Sequence, residues 1–163
     1  MASRSLDDLK KTMSRKANQF LGICALADMD VLIYCTLRSA EEQSRLYRQG
    51  RNIRTIRGKA DELREHNPAL GDMLMSVGPQ HGPKVTGAGP GQSLHQYGWA
   101  FDGVPMRDGK ACWFADDPMW QIYGECAVKA GLEWAGNWTK FTEFPHCQEP
   151  GKDWRKLIRG LKV

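Results

Sequence analysis

The sequence has no hydrophobic run long enough to cross a bilayer. Its longest uninterrupted apolar stretch, about residues 20–27, includes Gly22, whereas a spanning helix needs about 20 apolar residues. Residues 1–11 carry Asp7 and Asp8 and no apolar core, so no secretory signal peptide is expected there and synthesis is expected in the cytoplasm. CxxC motifs are absent, which excludes a Cys-rich zinc ribbon. The five cysteines, Cys24, Cys35, Cys112, Cys126 and Cys147, are odd in number, and a disulfide framework is not expected in a reducing compartment. Cys24 and Cys35 sit in apolar runs and read as small core hydrophobes. A strong overall charge is missing as well. The net charge is +4, and residues 151–163 account for it, with Lys152, Arg155, Lys156, Arg159 and Lys162 against Asp153. A neutral body argues against a nucleic-acid-binding fold; a basic tail suits an anionic surface. Internal repeats and low-complexity segments are also absent. With 41% hydrophobic and 26% charged residues in 163, one globular domain is expected.

What is present is a mixture of two periodicities. Leu6, Leu9, Met13, Ala17, Phe20, Leu21 and Cys24 recur at steps of three and four, which predicts a helix over about 6–26 with Ser5 as N-cap. Residues 31–36 read as a buried strand. Ser39 and Glu42 form a capping box for a helix that ends at Gly50. Residues 61–66 and 69–76 look helical, broken at Asn67-Pro68, and 78–91 reads as a Gly/Pro-rich loop. A strand is expected over 97–104, a helix over 118–130 closed by Gly131, and short strands over 132–135 and 144–147. Trp154, Leu157, Ile158 and Leu161 stripe a final basic helix. Helices and strands mix without a βαβ rhythm, so the expected class is α+β.

The chemistry concentrates in two stretches. His95 lies in Ser93-Leu-His95-Gln-Tyr-Gly98-Trp-Ala100-Phe-Asp102, and His146 closes Glu143-Phe-Pro-His146. Two imidazoles and a carboxylate are a zinc ligand set with a fourth position left for water, whose pKa zinc lowers toward about 7. A carboxylate beside that water, not bound to the metal, moves its proton to the leaving amine, and Glu143 suits the role. In extended chain Glu143 and His146 would point to opposite faces, so a turn at Phe144-Pro145 is required. Arg38, near the end of the first strand, can serve a developing oxyanion or a substrate carboxylate. By spacing alone the pattern is weak and chance matches are common, so the same residues are more often isolated hydrogen-bonded side chains than a metal site. His66 and His81 read as surface residues, the tryptophans as packing, and Cys147 as a buried thiol.

These motifs resemble one family. The pattern SxHxxGxAxD at 93–102 and the acid-x-x-His at 143–146 are similar to the two signatures of the D-Ala-D-Ala peptidase superfamily. Residues 36–51, from Thr36 through Arg38 to Arg51, resemble the arginine-bearing segment of the L-alanyl-D-glutamate endopeptidase branch found in phage endolysins. Val85-Thr86, Pro90-Gly91, Trp134 and Gly136-Asn-Trp138 also match that branch. The resemblance covers about 6–148. It implies an antiparallel sheet with flanking helices carrying one Zn(2+) on His95, Asp102 and His146, the D,D-peptidase/Hedgehog-like fold. It also implies Glu143 as general base, Arg38 as the residue that polarises the scissile carbonyl or anchors the substrate, and Ser93 as a substrate contact. Residues 52–83 stand as an inserted helical segment, and 151–163 as a basic C-terminal helix on a single 1–163 domain.

The implied reaction is hydrolysis of a peptidoglycan stem-peptide bond, L-Ala-D-Glu first, by a phage lysis enzyme that reaches the wall through a membrane pore. A D,D-carboxypeptidase or dipeptidase with the same ligands, and a zinc-stabilised wall-binding module without turnover, are the alternatives. Peptidoglycan is the expected partner, with no nucleic acid and no obligate protein partner. The tail either packs its apolar stripe or touches an anionic outer-membrane or wall polymer.

Overall fold

A computed structural model describes residues 2–163. The chain forms two compact units, one made mainly of Arg38–Tyr97 with Asp153–Val163 and the other of Ser3–Leu37 with Gly98–Lys152.

The second of these holds the sheet. Helix α1 spans Lys11–Leu26 and strand β1 Asp30–Cys35; β2 (Ala100–Arg107), β3 (Lys110–Ala111), α5 (Met119–Lys129), β4 (Glu133–Trp134) and β5 (His146–Gln148) follow. The strands are antiparallel in the order β1-β2-β5-β4, with β3 on β2. The expected first helix is split. Ser5 caps only a 3-10 turn at Leu6–Asp8, and α1 starts at Lys11, with the Lys10 N–H donating to Gly98 O at 3.0 Å. Met13, Ala17, Phe20 and Cys24 form the buried stripe of α1. They pack against Phe101, Tyr123, Trp134 and Cys147 in a single core, with the Phe20 and Tyr123 rings edge to face at 4.9 Å. The strand expected over 97–104 starts at Ala100 instead, which makes Asp102 its third residue.

The other unit is helical: α2 (Ala40–Arg48), α3 (Ile53–Arg64), α4 (Pro68–Ser76) and the short α6 (Trp154–Leu157). Ser39 caps α2 by accepting from the Glu42 N–H, as its spacing predicts. Asn52 caps α3 by accepting from Thr55, which starts that helix eight residues before the expected 61–66 segment. Pro68 opens α4 at a position where a missing N–H costs nothing. Ile56, Ala60, Leu63, Leu70, Leu74 and Ile158 form the core. The C-terminal stripe therefore packs: Ile158 is fully buried, and Asn67 Nδ2 donates to the carbonyls of Ile158 and Leu161. Leu70 and Ile158 also crowd Gly91, whose φ of +83° and missing Cβ both fit glycine there; a Cβ would lie 2.5 Å from Leu70 Cδ1. Among the described residues no helix is long and apolar enough to cross a membrane. The α+β class and the antiparallel sheet with helices are as the sequence implied.

Candidate active site

The residues singled out in the sequence are divided between the units. In the sheet unit, Asp102 is the third residue of β2 and pairs with His146, the first of β5. Cross-strand partners share a face, which brings His146 Nδ1 to 3.2 Å from Asp102 Oδ1 with both side chains largely buried. Gln148, two residues beyond His146, places Oε1 3.1 Å from His146 Nε2. When Nε2–H donates to Gln148, the neutral imidazole turns the Nδ1 lone pair toward the carboxylate. Two acceptors that close need a proton or a cation between them. Zinc fits: bonds of about 2.0–2.1 Å at tetrahedral angles put neighbouring ligand atoms slightly over 3 Å apart. The hydrogen bond to Gln148 is the kind of outer support that fixes a ligating imidazole. On the other side of β2, Cys35 pairs with Asp102. Cys35 is buried, as its apolar run predicts, but the register also sets its thiol in line with a carboxylate and an imidazole across three strands. The Trp138 ring lies 5.6 Å from His146 and is held by Nε1–H donating to Glu133 at 2.8 Å.

Glu143 enters on the turn its spacing demanded. The His146 N–H donates to Glu143 O at 3.1 Å, and the Glu143 N–H to Ala135 O at 3.2 Å. Two aromatic donors fix what lies between: Trp134 Nε1–H to Phe144 O at 2.7 Å and Tyr123 O–H to Pro145 O at 2.9 Å. Gly103 N–H adds a second bond to Pro145 O. Cys147 is fully buried against the Tyr123 hydroxyl. Burial pushes its thiol far above the ordinary range, more than the Tyr123 hydrogen bond pulls it down. It is a core thiol, not a nucleophile.

The helical unit holds Arg38, Ser93 and His95. Strand β1 ends at Cys35, so Arg38 belongs to the connection into α2 rather than to the strand end. Its N–H donates to His95 O at 3.3 Å, and its Nη1 to Gln43 Oε1 at 3.0 Å. Gln43 is buried and donates onward to Ala88 O at 2.7 Å, which orients the guanidinium. His95 is buried in a 3-10 turn at Leu94–Tyr97, and Ser93 O accepts from Gln96 N–H as that turn begins. Gln96 Oε1 accepts from Gly91 N–H, and Tyr97 O–H donates to Gly91 O at 2.8 Å. Burial pushes the Tyr97 hydroxyl up to about 12.

Asp102 and His146 are thus brought side by side, and Arg38 is joined to the His95 turn. Gln43, Gln148 and Trp138 are the supports that sequence reasoning left without a role. Gln148 carried a signal, since position i+2 on a strand shares the face of position i. Gln43 carried a weaker one, five residues after Arg38 on a capped helix.

Residues 86–149 match the family model described as D-alanyl-D-alanine carboxypeptidase, a stretch that contains Ser93, His95, Asp102, Glu143 and His146. The chain is 28% identical over 149 residues to the peptidoglycan L-alanyl-D-glutamate endopeptidase CwlK of Bacillus subtilis (strain 168), covering 86% of this chain and 73% of that one. Its fold is similar to the vancomycin resistance D,D-pentapeptidase VanY in complex with Zn(II), at a TM-score of 0.52, 14% identity and coverage of 93% and 78%. It is also similar to the LdcB LD-carboxypeptidase, at a TM-score of 0.50, 18% identity and coverage of 98% and 79%. The resemblance carried by the two sequence signatures is supported by the family model and the curated relative, and the fold is similar to that of these two solved peptidases.

Proposed function

We propose that this protein is a zinc peptidase of bacterial peptidoglycan that hydrolyses a stem-peptide bond, the L-Ala-D-Glu bond first. The observation that carries the reading is the buried Asp102–His146 pair, a carboxylate and an imidazole side by side with the imidazole held from behind by Gln148. The family match over 86–149 and the activity in the name of the Bacillus subtilis relative support it. In this reading His95, Asp102 and His146 hold one ion, which supplies a Lewis acid that makes water nucleophilic near neutral pH. Glu143 takes the proton of the attacking water and returns it to the leaving amine. Arg38, oriented by Gln43, polarises the scissile carbonyl or anchors a substrate carboxylate, and Ser93 contacts substrate.

A second reading, a D,D-carboxypeptidase, is favoured by the description of the matching family. The likeness of residues 36–51 to the endolysin branch supports the lysis role, with synthesis in the host cytoplasm and passage to the wall through a membrane pore.

The test is metal content measured beside digestion of purified peptidoglycan. One zinc per chain is expected, lost in Asp102→Ala and His146→Ala. Glu143→Gln keeps the metal and loses hydrolysis. New amino groups on D-Glu support the endopeptidase, and free D-Ala the carboxypeptidase. Retained hydrolysis in His95→Ala or Glu143→Ala defeats the assignment.

A further inference from the structure

Two arginines of the helical unit meet a cleft that neither the sequence motifs nor the family likeness gives a role. The cleft, of about 270 Å³, is lined by Arg48, Arg51, Ile53, Ile56, Pro79 and Gln80. Arg48 is only 8% exposed, and its Nη1 donates to Leu74 O at 3.0 Å. Among the described residues its buried Nε–H has no partner. A buried, unsatisfied donor on a charged group is costly, and such groups are found where something else pairs them. Arg51 is held in place from several sides. It donates to Tyr47 O and, from Nη2, to Thr86 O at 2.6 Å, and its guanidinium lies 3.9 Å over the Tyr47 ring. Among the described residues neither guanidinium forms an ion pair with a carboxylate. The fold therefore lines one cleft with two positive charges, and among the described residues no carboxylate pairs with either. Ile53, Ile56 and Pro79 give the remaining wall apolar surface, with Gln80 beside them.

We propose that this cleft is an anion site that takes a carboxylate carried on a short aliphatic body. Planar guanidinium forks match a carboxylate in two-point geometry, and the isoleucines cover the attached methylenes. An acidic peptide has this chemistry, and a wall stem peptide would be the natural source; that source rests on the proposed function, while the site does not.

The probe is glutarate, followed by the Arg Nε–Hε resonances of the full-length protein. Glutarate shifts the Arg48 and Arg51 resonances, and neutral glutaramide does not. Arg51→Gln raises the glutarate Kd about tenfold or more, the usual worth of a charge-assisted hydrogen bond. Ile53 is 47% exposed, so Ile53→Glu keeps the fold, presents a tethered carboxylate and abolishes glutarate binding. Silence of both arginine resonances at saturating glutarate overturns the site. Inorganic phosphate binding more tightly than glutarate overturns the carboxylate assignment. On peptidoglycan, Arg51→Gln raises KM and leaves kcat in place; an unchanged KM overturns the stem peptide as source. Loss of all wall hydrolysis in the wild type strikes the proposed function and leaves the glutarate result standing.

Discussion

The indole Nε1–H of Trp134 donates to the carbonyl oxygen of Phe144 at 2.7 Å, and through that bond a core side chain sets the turn that carries Glu143 and His146. Gly124 and Gly136 both lie close against the ring. A Cβ on Gly124 or on Gly136 would lie 2.1 Å from it. Trp134→Phe leaves the Phe144 carbonyl without this donor and is expected to cost about 1–3 kcal/mol of stability, read by urea unfolding. Under the proposed function kcat falls in the folded variant while KM holds, because Glu143, the proposed general base, is displaced rather than removed.

Gly124→Ala forces α5 and the indole apart. Overpacking of this kind is expected to cost about 1–3 kcal/mol, and differential unfolding against wild type checks it. An unchanged midpoint would mean that Trp134 is not wedged as described.

The local features of this fold are legible in the sequence because their causes are local. The buried stripe of α1, the Ser39 capping box and the Asn67-Pro68 break appear where spacing and proline chemistry place them, whereas the start of α1 lies at Lys11 and not at Leu6. Asn52 was equally readable, a cap followed by Ile53, Ile56, Ala60 and Leu63 at helical steps, yet the charge-rich run around it hides the pattern. What the sequence conceals is register. That Asp102 faces His146 and that Cys35 lines up beside them depend on how β1, β2 and β5 align. The arginine cleft depends on the packing of α2 and α3 with the chain after α4, and no single stretch records it.

Cys147 is expected to resist iodoacetamide in the native protein at pH 8 and to react after denaturation. Its thiol is fully buried and burial holds it protonated, and the thiolate is the reactive form. Mass spectrometry of the alkylated protein checks this. Native labelling at Cys147 would reopen it as a nucleophile.

Ile158→Ala is expected to destabilise the helical unit by about 2–5 kcal/mol, since the side chain is fully buried beside Leu70. Arg155→Ala and Arg159→Ala, at exposed positions, leave stability within about 0.5 kcal/mol. Chemical unfolding of the three variants separates packing from charge in the tail.

Acid stability follows from Glu62, whose carboxylate accepts from Lys59 and Gln92. Burial opposes its ionisation, but those hydrogen bonds outweigh it and hold the carboxyl below the ordinary 4.5. The sign is that of a depressed acid: the contribution is present above pH 4.5 and is lost as pH falls through the lowered folded value. Unfolding curves of Glu62→Gln and wild type are therefore expected to converge in acid and to separate above pH 4.5. Curves that stay parallel across that range would remove Glu62 from the linkage.

The most direct measurement is mass spectrometry of muropeptides after digestion with the zinc-loaded protein, run beside the chelated protein and Glu143→Gln. The account predicts fragments with a new free amine on D-Glu from the loaded wild type alone. Intact stem peptides from the loaded wild type, or the same fragments from the chelated protein, would contradict it.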